Sequence, residues 1–114
     1  MTASETDQQL VQRAQRGDLR AFDLLVLKYQ GRIAALVSRY VSDQSEVEDV
    51  TQEAFIKAYR ALDKFRGDSA FYTWLYRIAA NAAKNYLVSR SRRPAADATI
   101  EDAEVGEQAE LLAD

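Results

Sequence analysis

The sequence predicts an all-α fold, a bundle of four helices of which three are long and the N-terminal one is short. Two observations support this prediction. Apolar residues recur at three- and four-residue spacings along most of the chain, and one proline and four glycines leave little material for a turn-rich β fold. With 114 residues, the chain is expected to form one domain that folds alone. We assign residues 1–93 to this helical domain and residues 94–114 to an acidic, flexible linker or tail.

The first two helices are predicted from their end signals. We expect the first at residues 6–16, ended by Gly17, and the second at residues 19–41, capped by Asp18. Gly31 costs about 1 kcal/mol relative to alanine inside a helix, which leaves a kink or a close helix contact open there. The apolar stripe of the second helix comprises Phe22, Leu25, Val26, Tyr29, Ile33, Leu36, Val37 and Tyr40.

The last two helices follow a polar turn. The third is expected at residues 45–62, because Ser45 and Glu48 have the spacing of a capping box. The fourth is expected to begin near residue 68 or 69 and to run to about residue 90. Pro94 ends regular structure, and the residues after it are acidic with few large apolar side chains.

Charge is sorted along the chain. Residues 1–65 carry nine Lys/Arg and ten Asp/Glu. Residues 66–93 carry six Lys/Arg and one Asp/Glu, and residues 94–114 carry no Lys/Arg and seven Asp/Glu. A basic segment of this kind is typical of a surface that binds phosphate, whereas an acidic block is usually a solvated tail. The overall net charge of −3 conceals this polarity.

Composition also argues against several classes of protein. Without cysteine or histidine the chain lacks disulfides, thiolate metal sites, and the commonest general base and metal ligand. We therefore expect no enzyme, cofactor or metal. No apolar run is long enough to span a membrane and no signal peptide is evident, so we expect a cytoplasmic protein without membrane insertion.

The third helix carries two stripes. Its apolar stripe, which should face the core, consists of Val47, Val50, Ala54, Ala58 and Leu62. Its second stripe is mixed in charge and consists of Asp49, Gln52, Glu53, Ile56 and Arg60. Periodicity leaves two interpretations open: a solvated face held by side-chain pairs such as Asp49 or Glu53 with Lys57, or a polar protein-docking face around an exposed isoleucine.

Residues 65–77, FRGDSAFYTWLYR, place a short polar turn directly before four aromatics in six positions. Proteins that open nucleic acid use flat side chains to stack on unpaired bases, although the same aromatics could simply be core. One face of the fourth helix is expected to be core: Phe71, Leu75, Ile78, Ala79, Ala82 and Tyr86. A second face is expected to meet nucleic acid, because asparagine can recognise a base edge and cations bind phosphate: Arg77, Asn81, Lys84 and Asn85, with Arg90, Arg92 and Arg93 beyond.

These residues resemble a known family. The run 49–62, DVTQEAFIKAYRAL, followed by residues 65–77, is similar to the second conserved region of bacterial sigma factors, most closely the sigma-E-like extracytoplasmic-function group that acts in envelope stress. The resemblance covers about residues 5–94. No helix-turn-helix pattern for the minus-thirty-five element follows Pro94, so promoter-specific initiation is not expected from this sequence by itself.

The resemblance implies two contact surfaces. It implies that Asp49, Gln52 and Glu53, with Ile56 and Arg60 as neighbours, dock on the clamp helices of the RNA polymerase β′ subunit. It also implies that the fourth helix and the loop before it recognise and melt the minus-ten element by trapping a flipped base of the non-template single strand. The residues so assigned are Phe65, Arg66, Gly67, Asp68 and Ser69 in the loop, and Tyr72, Trp74, Arg77, Asn81, Lys84 and Asn85 along the strand.

The resemblance further implies an anti-sigma factor as a partner. An alternative hypothesis is therefore a protein-interaction module that binds an anti-sigma factor without productive DNA binding. Which aromatics of residues 65–77 stack on bases and which pack in the core stays open, and Trp74 is undecided between the two. An enzyme has no paired acid and base, nucleophile motif or phosphate loop in this sequence to support it.

Overall fold

The computed structural model describes residues 5–91. Its elements are α1 (Asp7–Gln15), α2 (Leu19–Val37), α3 (Gln44–Ala61) and α4 (Phe71–Ser91), with a 3₁₀ turn at Leu62–Lys64 after α3. No β-strand occurs within these residues, which confirms the predicted all-α fold. The predicted tail, residues 94–114, lies outside the described residues, as do Arg92 and Arg93.

The helices begin where side chains can bind their free backbone amides. At α1, Thr6 Oγ1 accepts from the amide of Gln9 at 3.1 Å, and the Gln9 side chain accepts from the amide of Thr6 at 2.9 Å. At α2, Asp18 accepts from the amide of Arg20 at 3.1 Å, as its sequence position predicts. The chain turns between α1 and α2 at Gly17, whose φ of +98° is favoured by glycine.

The expected capping box of α3 is wrong. Asp43 is the cap instead: its carboxylate accepts from the amides of Ser45 at 2.8 Å and Glu46 at 3.4 Å. Ser45 is already inside the helix and donates its hydroxyl to Asp43 at 2.8 Å. These hydrogen bonds to the ionised carboxylate, those from Ser45 first, hold the pKa of Asp43 below its ordinary value of 3.8.

Two other boundary expectations are corrected, and the close contact left open at Gly31 is decided. Helix α2 ends at Val37, four residues before the predicted end, and the chain then turns so that Val41 is buried outside the helix. Helix α4 begins at Phe71, after an irregular loop that includes Asp68 and Ser69. Helix α2 continues through Gly31, where no atom lies within 4 Å of a Cβ placed on the backbone, so the close contact left open there does not occur.

One hydrophobic core joins all four helices. Helix α2 packs against α1, α3 and α4, and α3 packs against α4. The largest fully buried side chains are Leu25, Ile33, Val37, Leu62, Leu75 and Ile78. The predicted apolar stripe of α3 is buried throughout, and in the predicted stripe of α2 only Val26 and Tyr40 are partly exposed. None of the helices within residues 5–91 is long and apolar enough to cross a membrane.

Candidate nucleic-acid interface

A cleft of about 660 Å³ lies between α1 and the loop that precedes α4. This volume is within the range of roughly 300–1,000 Å³ that is usual for small-molecule pockets. The cleft is lined by Thr6, Asp7, Gln8, Val11, Gln12, Gln15, Phe65, Arg66, Gly67, Asp68, Ser69, Ala70 and Phe71. The structure therefore brings together all five loop residues of the expected base pocket, residues 65–69, and adds one face of α1.

Helix α1 also fixes the position of this loop. The side-chain amide of Gln15 donates to the carbonyl oxygens of Leu62 at 3.0 Å and Phe65 at 2.9 Å. Gly67 has φ of +80°, a left-handed conformation that an L side chain would strain. The loop therefore turns at Gly67 while its first residue is held against α1.

The contribution of α1 was missed by the sequence analysis. A signal for it exists, because Gln8, Gln12 and Gln15 fall at i, i+4 and i+7 and so share one helix face. Amide side chains both donate and accept hydrogen bonds, which suits a pocket for a polar heterocycle such as a base. Nothing local to residues 6–15 indicates that this face meets a loop about fifty residues later in the chain.

The aromatic side chains beside the cleft pack on one another. The ring of Phe65 lies 4.9 Å from that of Trp74 and 6.1 Å from that of Phe71, and Phe71 lies 5.8 Å from Trp74, all measured between ring centroids. Phe71 is buried, while Phe65 and Trp74 are partly buried against the core. Trp74, undecided from the sequence, is therefore part of the packing that supports the cleft.

The rim of the cleft is polar and exposed. Arg66 and Asp68 approach each other at 3.9 Å, but their side chains are 82% and 85% exposed, so this ion pair contributes little to stability. Ser69 donates its hydroxyl to the carbonyl oxygen of Ala70 at 3.3 Å. These side chains are free to rearrange around a ligand at little cost in folding free energy.

The predicted nucleic-acid face of α4 is only partly exposed. Arg77 and Lys84 are exposed and Asn85 is half-buried. Asn81 is 8% exposed and lies beside the buried Ala79, Ala82 and Ala83 of the same helix. Its assignment to the nucleic-acid surface stays a prediction.

The end of α4 is tied to α3 through Glu46. The Tyr86 hydroxyl donates to Glu46 Oε2 at 2.5 Å, and the guanidinium of Arg90 donates to Glu46 Oε1 at 3.0 Å. Arg90 is thus partly neutralised, and the phosphate contact predicted for it stays a prediction. Tyr86, expected in the core, is half-buried and places its hydroxyl in this network.

The second stripe of α3 faces outward along its whole length. Asp49, Gln52, Glu53, Ile56 and Arg60 are all exposed. Ile56 is 41% exposed and lies among the polar residues of the stripe. The carboxylate of Glu53 lies 3.7 Å from the ammonium of Lys57, as the solvated-face interpretation expects. This single i, i+4 pair is worth only a few tenths of a kcal/mol and leaves the stripe open to a partner.

Within residues 5–91 no group of His, Cys, Asp or Glu side chains could hold a metal ion. The described surfaces offer hydrogen bonding in the cleft, cationic contacts on α2 and α4, and mixed polar and apolar contacts on α3.

Comparison with known proteins identifies the family. Residues 25–93 match the family model for sigma-70 region 2. The chain is 66% identical over 115 residues to the RNA polymerase sigma-H factor of Pseudomonas aeruginosa, covering 100% of this chain and 60% of that protein. It is 68% identical over 94 residues to the ECF RNA polymerase sigma-E factor of Escherichia coli K12, covering 82% of this chain and 49% of that protein. The chain thus spans about half to three-fifths of these relatives.

A solved structure agrees with both the sequence and the fold. It is an NMR structure of an engineered region 2 of sigmaE in complex with GTAAAA. The match has a TM-score of 0.76 and 61% sequence identity, and it covers 82% of this chain and 97% of that one. With the family model matching more than half of its residues, the chain belongs to the sigma-70 region 2 family, and its similarity to sigma-E factors is confirmed.

Proposed function

We propose that this domain docks on RNA polymerase and recognises and melts the promoter minus-ten element by capturing a flipped non-template base in the cleft between α1 and residues 65–70. The observation that carries the proposal is the cleft itself, which has a polar rim and the hydrogen-bonding side chains of Gln8 and Gln12. The solved relative, in complex with GTAAAA, supports it.

Capture of a base accounts for melting in energetic terms. Extruding a base from a duplex costs a few kcal/mol, which stacking and pocket hydrogen bonds can offset. Gln8 and Gln12 on α1 and Ser69 on the loop supply such hydrogen bonds from opposite sides of the cleft. Arg77 and Lys84 would hold the phosphates of the strand outside it. Asn81, which is 8% exposed, is given no contact in this proposal.

Docking is assigned to the exposed stripe of α3. Asp49, Gln52 and Glu53 offer hydrogen-bonding groups around Ile56, a combination suited to a polar, exchangeable interface. We propose the clamp helices of the β′ subunit as the partner, which would place the domain in the cytoplasm. The stripe and the cleft would then serve two partners from separate surfaces of one domain.

The test is the binding of a fluorescent GTAAAA strand by anisotropy, with a scrambled strand and a duplex as comparisons. We expect preference for the single GTAAAA strand, and an abasic substitution at one position should weaken binding far more than at any other. 2-Aminopurine at that position should change fluorescence on binding as its base leaves the stack. Gln12→Ala should weaken binding, while Gln52→Ala, a matched change on the α3 stripe, should not. Equal affinity for all strands, or equal sensitivity at every position, would contradict base capture.

A second candidate function is a module that binds an anti-sigma factor without productive DNA binding. The exposed apolar side chains on α2 and α3 favour a protein partner: Leu19, Leu24, Leu27, Ile56 and Tyr59. The same strand assay separates the two functions. A folded domain that binds an anti-sigma factor but no strand would favour the second.

A further inference from the structure

Aromatic and cationic side chains continue from the cleft onto the surface between α2 and α4. Asp7, which lines the cleft, accepts hydrogen bonds from the Lys28 ammonium at 2.6 Å and from the Tyr29 hydroxyl. Burial and then the hydrogen bond to Asp7 raise the pKa of Tyr29, so its phenol stays protonated. The Tyr29 ring stacks on that of Tyr72 with centroids 5.0 Å apart, and Tyr76 follows at 6.1 Å from Tyr72.

Arg32 lies over these rings. Its guanidinium carbon is 5.5 Å from the centroid of Tyr72 and 6.0 Å from that of Tyr29, within reach of a cation–π interaction with each. The side chain of Arg32 is exposed. The rings thus hold a charged, planar group at the surface, on the side of the domain that continues from the cleft.

Arg32 has no carboxylate partner among the residues that the structure describes. Within residues 5–91 no carboxylate forms an ion pair with it, whereas Lys28 and Arg90 each pair with one carboxylate and Arg13 with two. The adjacent Gly31 is exposed and has no atom within 4 Å of a Cβ placed there, so the surface beside Arg32 is open. A guanidinium oriented by rings and lacking an internal anion can form paired hydrogen bonds to a phosphate.

We propose that Arg32 binds a backbone phosphate of the single strand next to the captured base, and that Tyr72 orients its guanidinium. This inference rests on the proposed function and extends it to α2, which the sequence analysis did not include in the DNA interface. It also changes the role predicted for Tyr72. Tyr72 packs against Tyr29 and Arg32 and acts as a positioning residue for the phosphate contact.

The experiment compares Arg32→Ala with Arg20→Ala. Both residues are exposed arginines on α2, and no carboxylate within residues 5–91 pairs with either. Binding of the GTAAAA strand is measured across a salt series. We expect Arg32→Ala to weaken binding about threefold to tenfold and to reduce the salt slope by about 0.7, the value for one phosphate on a single strand. Arg20→Ala should match the wild type.

A second measurement locates the contact. Methylphosphonate substitutions neutralise one phosphate at a time, and one of them should weaken the wild type while leaving Arg32→Ala unaffected. Arg32→Lys should keep most of the salt slope but bind more weakly than the wild type, because an ammonium lacks the planar fork. This variant retains the charge and the long side chain, so it also tests the contact if Arg32→Ala proves less stable in a melting curve.

The outcomes separate the two proposals. If the wild type binds no strand, the proposed function fails. If the wild type shows sequence preference but Arg32→Ala and Arg20→Ala bind alike, with no methylphosphonate position coupled to Arg32, the inference alone is overturned. The inference is supported if one methylphosphonate substitution weakens the wild type but not Arg32→Ala, and if that phosphate is adjacent to the position where removal of the base weakens binding most.

Discussion

The stripe on α3 and the cleft beside α4 are built in opposite ways. On α3 the outward residues, such as Asp49, Gln52 and Ile56, are exposed, and a separate set of apolar residues on the other side holds the helix in the core. At the cleft, Phe65 lines the cavity and at the same time packs on Trp74 beside the core. The outward residues of the α3 stripe therefore take no part in the packing of the core, whereas a residue that lines the cleft does.

This difference bears on how each surface can change. A residue of the α3 stripe can be replaced with effects on a partner and little effect on folding, since surface substitutions usually change stability by less than about 0.5 kcal/mol. Replacing one of the aromatic residues that pack on one another beside the cleft changes both the free energy of unfolding and the shape of the cleft. Stability and binding measurements on the same variants therefore distinguish the two designs.

The largest effect is expected for Trp74→Ala. Removing a partly buried indole that contacts Phe65 and Phe71 should lower the free energy of unfolding by about 2–3 kcal/mol, measured by urea denaturation. Strand binding should also weaken at temperatures where the variant is folded, because Phe65 loses its support. Tyr76→Ala is the control: at 37% exposed, Tyr76 should cost less than about 1 kcal/mol. A cost for Trp74→Ala as small as that of Tyr76→Ala would show that the indole does not support the cleft.

The α3 stripe could be predicted almost entirely from the sequence. The predicted apolar stripe, from Val47 to Leu62, is buried as expected, and every residue of the second, outward stripe is exposed as expected. Local spacing suffices there because the two faces differ in composition. The predicted start of α3 was wrong because Ser45 and Asp43 are both good N-cap residues. The sequence does not show which of the two directly precedes the first turn of the helix.

Only one of the two walls of the cleft could be predicted from the sequence. Residues 65–69 were assigned to the pocket through the family resemblance, which a local run of sequence carries, but the opposing wall on α1 depends on a contact between distant segments. The low exposure of Asn81 could not be predicted, because a polar residue is usually exposed and only the packing of α4 against its neighbours shows that little of its surface is accessible. Arg32 carries no pattern of its own, and its environment is created by rings from two helices.

A smaller effect is expected for the cap of α3, which holds the start of the helix that carries the stripe. Asp43→Ala should lower the melting temperature by a few degrees at neutral pH, because the amides of Ser45 and Glu46 lose their acceptor. The pKa of Asp43 is lower folded than unfolded, so its ionised form stabilises the protein above the ordinary value of 3.8. This contribution is lost as the pH falls through the folded pKa.

The difference in melting temperature between the wild type and Asp43→Ala should accordingly narrow below pH 3.8. Asp43→Asn is the matched control, because an amide oxygen still accepts from the helix while no charge titrates. Its melting temperature should lie between those of the other two proteins at neutral pH. A wild-type advantage over Asp43→Ala that is as large at pH 2.5 as at pH 7 would contradict the assignment of the cap to an ionised carboxylate.

The smallest effect on folding is expected for the α3 stripe, where substitutions should have a large effect on polymerase binding. The double change Gln52→Ala with Glu53→Ala should alter the free energy of unfolding by less than about 0.5 kcal/mol, since within residues 5–91 it removes only the pair of Glu53 with Lys57 at 3.7 Å. Polymerase capture in a pull-down should nevertheless be lost, while binding of the GTAAAA strand stays at the wild-type level. Glu48→Ala, also exposed on α3 but outside the stripe, should preserve both activities. If the double variant still captures polymerase, the stripe is a solvated face; if it also loses strand binding, the two surfaces are coupled and the separation between α3 and the cleft does not hold.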